Sequence, residues 1–168
     1  MLAKRLIACL DVRDGRVVKG INFEGLRTAG DPAELAERYN REGIDELTVL
    51  DVTATLEGRR ALLDTIREVS RRLFIPLAVG GGIRTMDDAR AIIDAGADKV
   101  SLNSAALADP SLVTTVARVY GSQAVIVAID AKRGADGFEV FSRSGTAREA
   151  RGAVAWAREA ADRGAGEI

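Results

Sequence analysis

Residues 125–130 read Val125-Ile126-Val127-Ala128-Ile129-Asp130, an unbroken apolar run closed by an aspartate, and residues 6–11 read Leu6-Ile7-Ala8-Cys9-Leu10-Asp11 in the same way. Short, nearly continuous apolar runs suit strands covered on both faces, as in a parallel sheet. Similar runs place strands at Arg5 to Leu10, Glu46 to Leu50, Leu77 to Val79, Lys99 to Leu102 and Ala124 to Ile129. Between and after them the sequence predicts amphipathic helices at Pro32 to Glu42, Arg59 to Arg72, Met86 to Ala95, Pro110 to Val119 and Arg148 to Arg163. Strand alternating with helix is the pattern of repeated βα units.

Helix boundaries support this reading. Asp31-Pro32 and Asp109-Pro110 each set an N-cap acceptor before a proline at the first helical position, and Thr85 is the expected N-cap of the helix from Met86. Gly43, Gly96 and Gly164 follow three helices, where a left-handed C-cap conformation is expected. The segments Glu42-Gly43-Ile44-Asp45, Ala95-Gly96-Ala97-Asp98 and Arg163-Gly164-Ala165-Gly166 each end a helix and begin a strand, on every second unit, so a two-unit module recurs. The runs ending in Asp11 and Asp130 echo each other at four units, half of an eight-unit ring. The expected fold is α/β, a (β/α)8 TIM barrel represented in residues 1–168 by about five βα units and the start of strand six, in a single partial domain.

At 47% hydrophobic and 29% charged residues the chain has the composition of a globular protein, not a disordered one. Lys and Arg total 24 against 25 Asp and Glu. No global positive field favours nucleic acid or a membrane surface, so any phosphate must be held locally. The single cysteine, Cys9, allows no internal disulfide and no metal spacing; it reads as a core residue in a reducing, cytoplasmic protein. No stretch is long and apolar enough to span a bilayer, and no secretory signal pattern opens the chain. There is no histidine, which excludes Ser-His and Cys-His nucleophilic machinery and His-containing zinc sites. Proton transfer falls to Asp, Glu, Lys, Tyr or Cys.

In a parallel barrel the chemistry lies at the C-terminal ends of the strands. Asp11, Asp51, Asn103 and Asp130 stand there. Units one and five are opposite in a ring, so Asp11 and Asp130 are expected to face each other as general acid and general base. The alternative is that each caps a turn or pairs with a cation such as Lys19, Lys132 or Arg133. Gly80-Gly81-Gly82-Ile83, between strand and helix, offers a nest of backbone N–H groups to a phosphate, with Asn103-Ser104 adding amide and hydroxyl donors. The alternative there is a tight turn needing positive φ. Lys19 lies in a long loop from Asp11 to Gly30, a candidate lid, and otherwise reads as a solvated lysine. Gly134 to Gly137 reads as a turn within another long loop. Trp156 reads as packing, and Arg59-Arg60 and Arg71-Arg72 as solvated helix faces.

The motifs Ala3-Lys4-Arg5-Leu6-Ile7-Ala8-Cys9-Leu10-Asp11-Val12, Gly15-Arg16-Val17-Val18-Lys19-Gly20, Val79-Gly80-Gly81-Gly82-Ile83, Gly96-Ala97-Asp98-Lys99-Val100-Ser101 and Ala128-Ile129-Asp130-Ala131-Lys132-Arg133 closely resemble the cyclase subunit family of imidazole glycerol phosphate synthase, from histidine biosynthesis. The resemblance covers the whole chain. It implies a reaction in which ammonia from a glutaminase partner attacks phosphoribulosyl-formimino-aminoimidazole carboxamide ribotide, giving imidazole glycerol phosphate and aminoimidazole carboxamide ribotide, with no metal or organic cofactor. By position it makes Asp11 and Asp130 the acid/base pair and Lys19 the lysine over the substrate. Gly82, Asn103 and Ser104 would belong to a phosphate site, where the family often has threonine in place of Ser104. Arg5, Glu46, Lys99 and Glu167 match a ring of alternating charges that gates ammonia at the barrel floor. Family members continue through three more strands, so the fragment is expected to need the remainder for activity. Two other readings are the sister sugar isomerase of the same pathway, which resembles this fold, and a non-catalytic fragment that binds phosphorylated ligands or self-associates through open edges.

Overall fold

The structure, a computed structural model, describes residues 4–21, 24–52, 56–135, 137–142 and 145–168. They fall into two compact units, Met1–Gly82 with Arg90–Lys99, and Ile83–Ala89 with Val100–Ile168.

In the first unit, strands β1 (Ile7–Arg13), β2 (Arg16–Ile21) and β3 (Glu24–Gly30) precede helix α1 (Pro32–Glu42), then β4 (Glu46–Asp51), α2 (Leu56–Ser70) and β5 (Leu77–Gly80). Helix α3 (Met86–Asp94) ends in this unit. The strand order is β3-β2-β1-β4-β5, with β1, β4 and β5 parallel and β2 and β3 antiparallel to their neighbours. Register pairs Ile7 with Glu46, Cys9 with Thr48 and Asp11 with Leu50. Side chains alternate between faces along a strand, so Leu10, Val12, Leu47, Val49, Leu77 and Val79 share one face, and all six are buried. Helix α1 packs on β1 and against α2. Ile7, Cys9 and Asp11 share the other face with Glu46, Thr48 and Leu50. The expectation that both faces of the strands are covered fails at β1, where Ile7 is 44% exposed and Cys9 is exposed. Cys9 is therefore not the core residue its apolar surroundings suggest.

In the second unit, β6 (Lys99–Leu102, its first residue in the first unit) leads to α4 (Ser104–Ala108), α5 (Ser111–Tyr120), a 3-10 turn at Ser122–Ala124 and β7 (Val125–Val127). Strands β8 (Asp130–Gly134), β9 (Gly137–Ser142) and β10 (Ala147–Gly152) and helix α6 (Ala153–Asp162) follow. Strands β6 and β7 are parallel, and β8, β9 and β10 form a separate antiparallel sheet. Val100, Leu102, Val113, Val116, Val125 and Val127 are fully buried. Trp156 is buried as expected, with the Arg151 guanidinium 5.1 Å from its ring centroid. Glu167 bridges Ile126 in parallel, which begins the sixth strand. The described residues thus bear out the α/β class: β1, β4 and β5 run parallel in the first unit and β6 and β7 in the second, with helices between successive parallel strands, as in a (β/α)8 barrel.

The helix ends explain why the chain turns where it does. Asp31 Oδ1 accepts from Ala33 N and Glu34 N ahead of Pro32, a cap worth about 1 kcal/mol. Thr85 Oγ1 accepts from Asp88 N at 3.1 Å while Asp88 Oδ2 accepts from Thr85 N at 3.0 Å, a reciprocal capping box. Asp109 is displaced by one position from its expected role: Pro110 precedes the first helical residue, Ser111, whose N–H and hydroxyl both bond to Asp109 Oδ1.

The recurring module is visible atom by atom. At Gly43, Gly96 and Gly164, with φ of 86°, 115° and 106°, the glycine N–H bonds to the carbonyl three residues back and the next N–H to the carbonyl five back. The residue after that donates in turn to the preceding strand segment, Asp45 to Leu6 O, Asp98 to Leu77 O and Gly166 to Val125 O. In the first two corners the aspartate side chain returns the bond, Asp45 Oδ2 accepting from Leu6 N at 2.6 Å and Asp98 Oδ2 from Leu77 N at 2.8 Å. In the third, a Cβ at Gly166 would stand 2.4 Å from Ser122 O, so no side chain fits.

Elsewhere the structure corrects the expected boundaries. The long loop after Asp11 is a hairpin, β2 and β3, entered through Asp14 and Gly15 with φ of 50° and 74° between the paired residues Arg13 and Arg16. Two successive positive φ values give a turn whose twist matches antiparallel strands. The expected turn at Gly134 to Gly137 closes a second hairpin, β8 to β9. The last helix starts at Ala153 rather than Arg148, because residues 147–152 pair with β9 and Arg148 bonds Glu139 at 2.6 Å. Arg71 and Arg72 lie on an exposed face in ion pairs with Glu68 and Glu37. The side chains of Arg59 and Arg60 lie outside the described residues.

Candidate functional site

Three of the four residues expected to form a charged ring meet in the first unit. Glu46 opens β4 and is 1% exposed, and its carboxylate accepts from Arg5 Nη1 at 2.7 Å and from Lys99 Nζ at 2.9 and 3.0 Å. A buried carboxylate requires such partners, because an unpaired charge away from water is costly. Lys99 keeps 11% of its side chain exposed and Arg5 keeps 47%. Glu167 lies in the second unit, where its N–H bonds to Val125 O and its carbonyl accepts from Val127 N.

Asp11 lies on β1 one residue short of the last parallel pair with β4, Val12 with Asp51. Burial raises its carboxyl above the ordinary range. Partial burial of the sulfur, and after it the Asp11 carboxylate, push the Cys9 thiol up to about 11, which leaves it a poor nucleophile at neutral pH. Lys19 is exposed on β2, opposite Arg27.

Asp51 ends β4 and meets the glycine run directly. Gly81 has φ of 97°, and a Cβ there would come within 2.1 Å of Asp51 O. Gly82 also takes positive φ, 62°. The run is therefore a turn that needs glycine, the alternative weighed above. Gly81→Ala is expected to lower stability by roughly 2–5 kcal/mol, combining a left-handed backbone penalty with overpacking. Gly43→Ala, where a Cβ meets nothing within 4 Å, should lose only the backbone share of about 1–2 kcal/mol. Urea unfolding of the two variants checks this, and equal losses would refute the close contact as the cause.

In the second unit β6 ends at Leu102, and Asn103 follows. The Asn103 amide Nδ2 donates to Asp130 Oδ2 at 3.2 Å, bringing two of the expected site residues together across 27 positions of sequence. Asp130 opens β8, three residues beyond β7, with its backbone paired to Phe141. Ser104, the first residue of α4, is exposed. Asp11, Lys19, Asp51, Gly81 and Gly82 belong to the first unit and Asn103, Ser104 and Asp130 to the second. Sequence reasoning missed the bonds of Asp45 and Asp98 to the strands, although the recurring glycine segments contained both.

A family model described as "Histidine biosynthesis protein" matches residues 5–168. The chain belongs to that family. It is 61% identical over its whole length to the imidazole glycerol phosphate synthase subunit HisF of Acidobacterium capsulatum, covering 66% of that protein. Over 99% of its length it is 56% identical to the subunit of the same name from Campylobacter concisus, again 66% of that protein. The subunit of Myxococcus xanthus is 55% identical over the full chain. The chain spans about two thirds of the length of these curated relatives. Family membership fits the α/β architecture. Among the described residues no helix is long and apolar enough to cross a membrane, and no His, Cys, Asp and Glu cluster could hold a metal.

Proposed function

We propose that the chain is the larger part of the cyclase subunit of imidazole glycerol phosphate synthase. It takes ammonia from a glutaminase partner and converts phosphoribulosyl-formimino-aminoimidazole carboxamide ribotide to imidazole glycerol phosphate and aminoimidazole carboxamide ribotide. Asp11 and Asp130 are its acid and base. Lys19, Asp51, Gly81 and Gly82 in the first unit and Asn103 and Ser104 in the second serve the phosphorylated substrate. Arg5, Glu46 and Lys99, with Glu167, gate ammonia. The free, unpaired Cys9 supports a reducing, cytoplasmic setting.

The observation that carries the reading is Asp130 itself, a carboxylate placed just past a parallel strand and held by a neighbouring strand-end amide, in a chain 61% identical along its length to a named subunit of the synthase. Burial raises the carboxyl of Asp11, which supports it as one member of the acid/base pair. The test supplies the ribotide and an ammonium salt to the chain, together with a segment corresponding to the remaining third of the relatives, and follows both products. Ammonium-dependent formation of both supports the reading. Ammonia-independent isomerisation would transfer the chain to the sister isomerase activity, and concentration-dependent association with no turnover would make it a binding module.

A further inference from the structure

Asn103 sits at the N-cap of α4, where an asparagine usually turns its oxygen onto the backbone N–H groups of the first helical turn. It does not do so. No side-chain capping bond is made, and Asn103 Oδ1 is buried without a partner among the described residues. The amide nitrogen instead reaches Asp130 Oδ2. The opposite orientation of the amide would set oxygen against oxygen, so the donor must face the carboxylate. A residue that forgoes its local bond and leaves an acceptor unsatisfied, at a position where either is destabilising, is directed by something other than helix stability.

We propose that Asn103 is a positioning residue for Asp130, fixing one carboxylate oxygen so that the other is presented to the reacting substrate. This rests on the reading of Asp130 as an acid/base group, and it departs from the assignment of Asn103 to phosphate. The Asp130 backbone is held by its pairing with Phe141 in the antiparallel sheet, which leaves side-chain rotation as the freedom the amide removes.

The test has two arms. In the ammonium-dependent assay Asn103→Ala lowers kcat about 10- to 100-fold, the range for losing a hydrogen bond to a charged group, with KM changed less than about twofold. The same substitution adds nothing in an Asp130→Asn background. Asn103→Asp, which keeps the shape but replaces the donor with an acceptor, gives the same split with a larger loss and serves if the alanine variant does not fold. In the second arm, carbon-13 labelling of aspartate carboxyls follows the Asp130 resonance at fixed pH, which moves in Asn103→Ala while that of Asp98 stays. A rise in KM at unchanged kcat would overturn the proposal and return Asn103 to phosphate binding. An unmoved Asp130 resonance would overturn it without reference to activity. An inactive wild type whose Asp130 resonance still responds would sink the functional reading and the catalytic purpose of the contact, while leaving the contact itself standing.

Discussion

Glu46→Ala is expected to lower the unfolding free energy of the first unit by about 3–5 kcal/mol, the usual consequence of removing one partner from a buried ion pair. The size comes from Lys99, whose side chain is 11% exposed and whose ammonium touches both oxygens of Glu46. Arg5, nearly half exposed, should contribute little, and Arg5→Ala should lose less than about 1 kcal/mol. The two variants separate a buried charge from a screened one within a single cluster. Amide hydrogen exchange at Leu47 and Val49 reports on this unit directly. Losses of equal size in the two variants would contradict the assignment of the buried pair.

Asp11→Asn should lower kcat roughly 100- to 10,000-fold, the range for losing a general acid or base, without lowering stability at neutral pH. The second half follows from the raised carboxyl of Asp11. A folded chain that binds this proton more readily than the unfolded chain gains stability below the unfolded pKa and loses it as pH rises through the folded value. Wherever it is ionised, the carboxylate is therefore a burden that asparagine removes. The urea midpoint of Asp11→Asn should equal or exceed that of the wild type at pH 7, and the difference should fade below about pH 4. A variant that is inactive and also less stable at pH 7 would mean that Asp11 holds the fold together.

Much of this architecture could be read before any coordinates, and the reasons differ by element. Helix α1 falls at its expected bounds, Pro32–Glu42, because its start and stop are both written in local chemistry, Asp31-Pro32 at one end and Gly43 at the other. Strand β4 begins where expected because its apolar run abuts a glycine corner. Arg148, Glu149 and Ala150 are good helix formers, so the sequence predicts helix where β10 stands, and the pairing with β9 that overrides them is tertiary. The first hairpin replaces an expected loop, and Asp14-Gly15 is the local signal for it, a two-residue turn with positive φ at both positions. At the site, residue identities were legible and contacts were not. That Glu46 joins Arg5 and Lys99 was implied by the family resemblance, but that Asn103 addresses Asp130 depends on one side-chain orientation. No periodicity encodes that orientation.

The three glycine corners carry a consequence for the charged residues beyond them. Glu46, Lys99 and Glu167 are each the very next residue after the backbone N–H that locks its corner to the preceding strand, at Asp45, Asp98 and Gly166. Each corner thus works as an indexing stop: it fixes how far the chain has advanced when the charge appears, and so on which side of the pleat it emerges. A single residue inserted after Asp45 would turn Glu46 through half a pleat, away from Lys99, while leaving every helix intact. Spacing from the stop, as much as the identity of the charge, is then what selection would have to preserve.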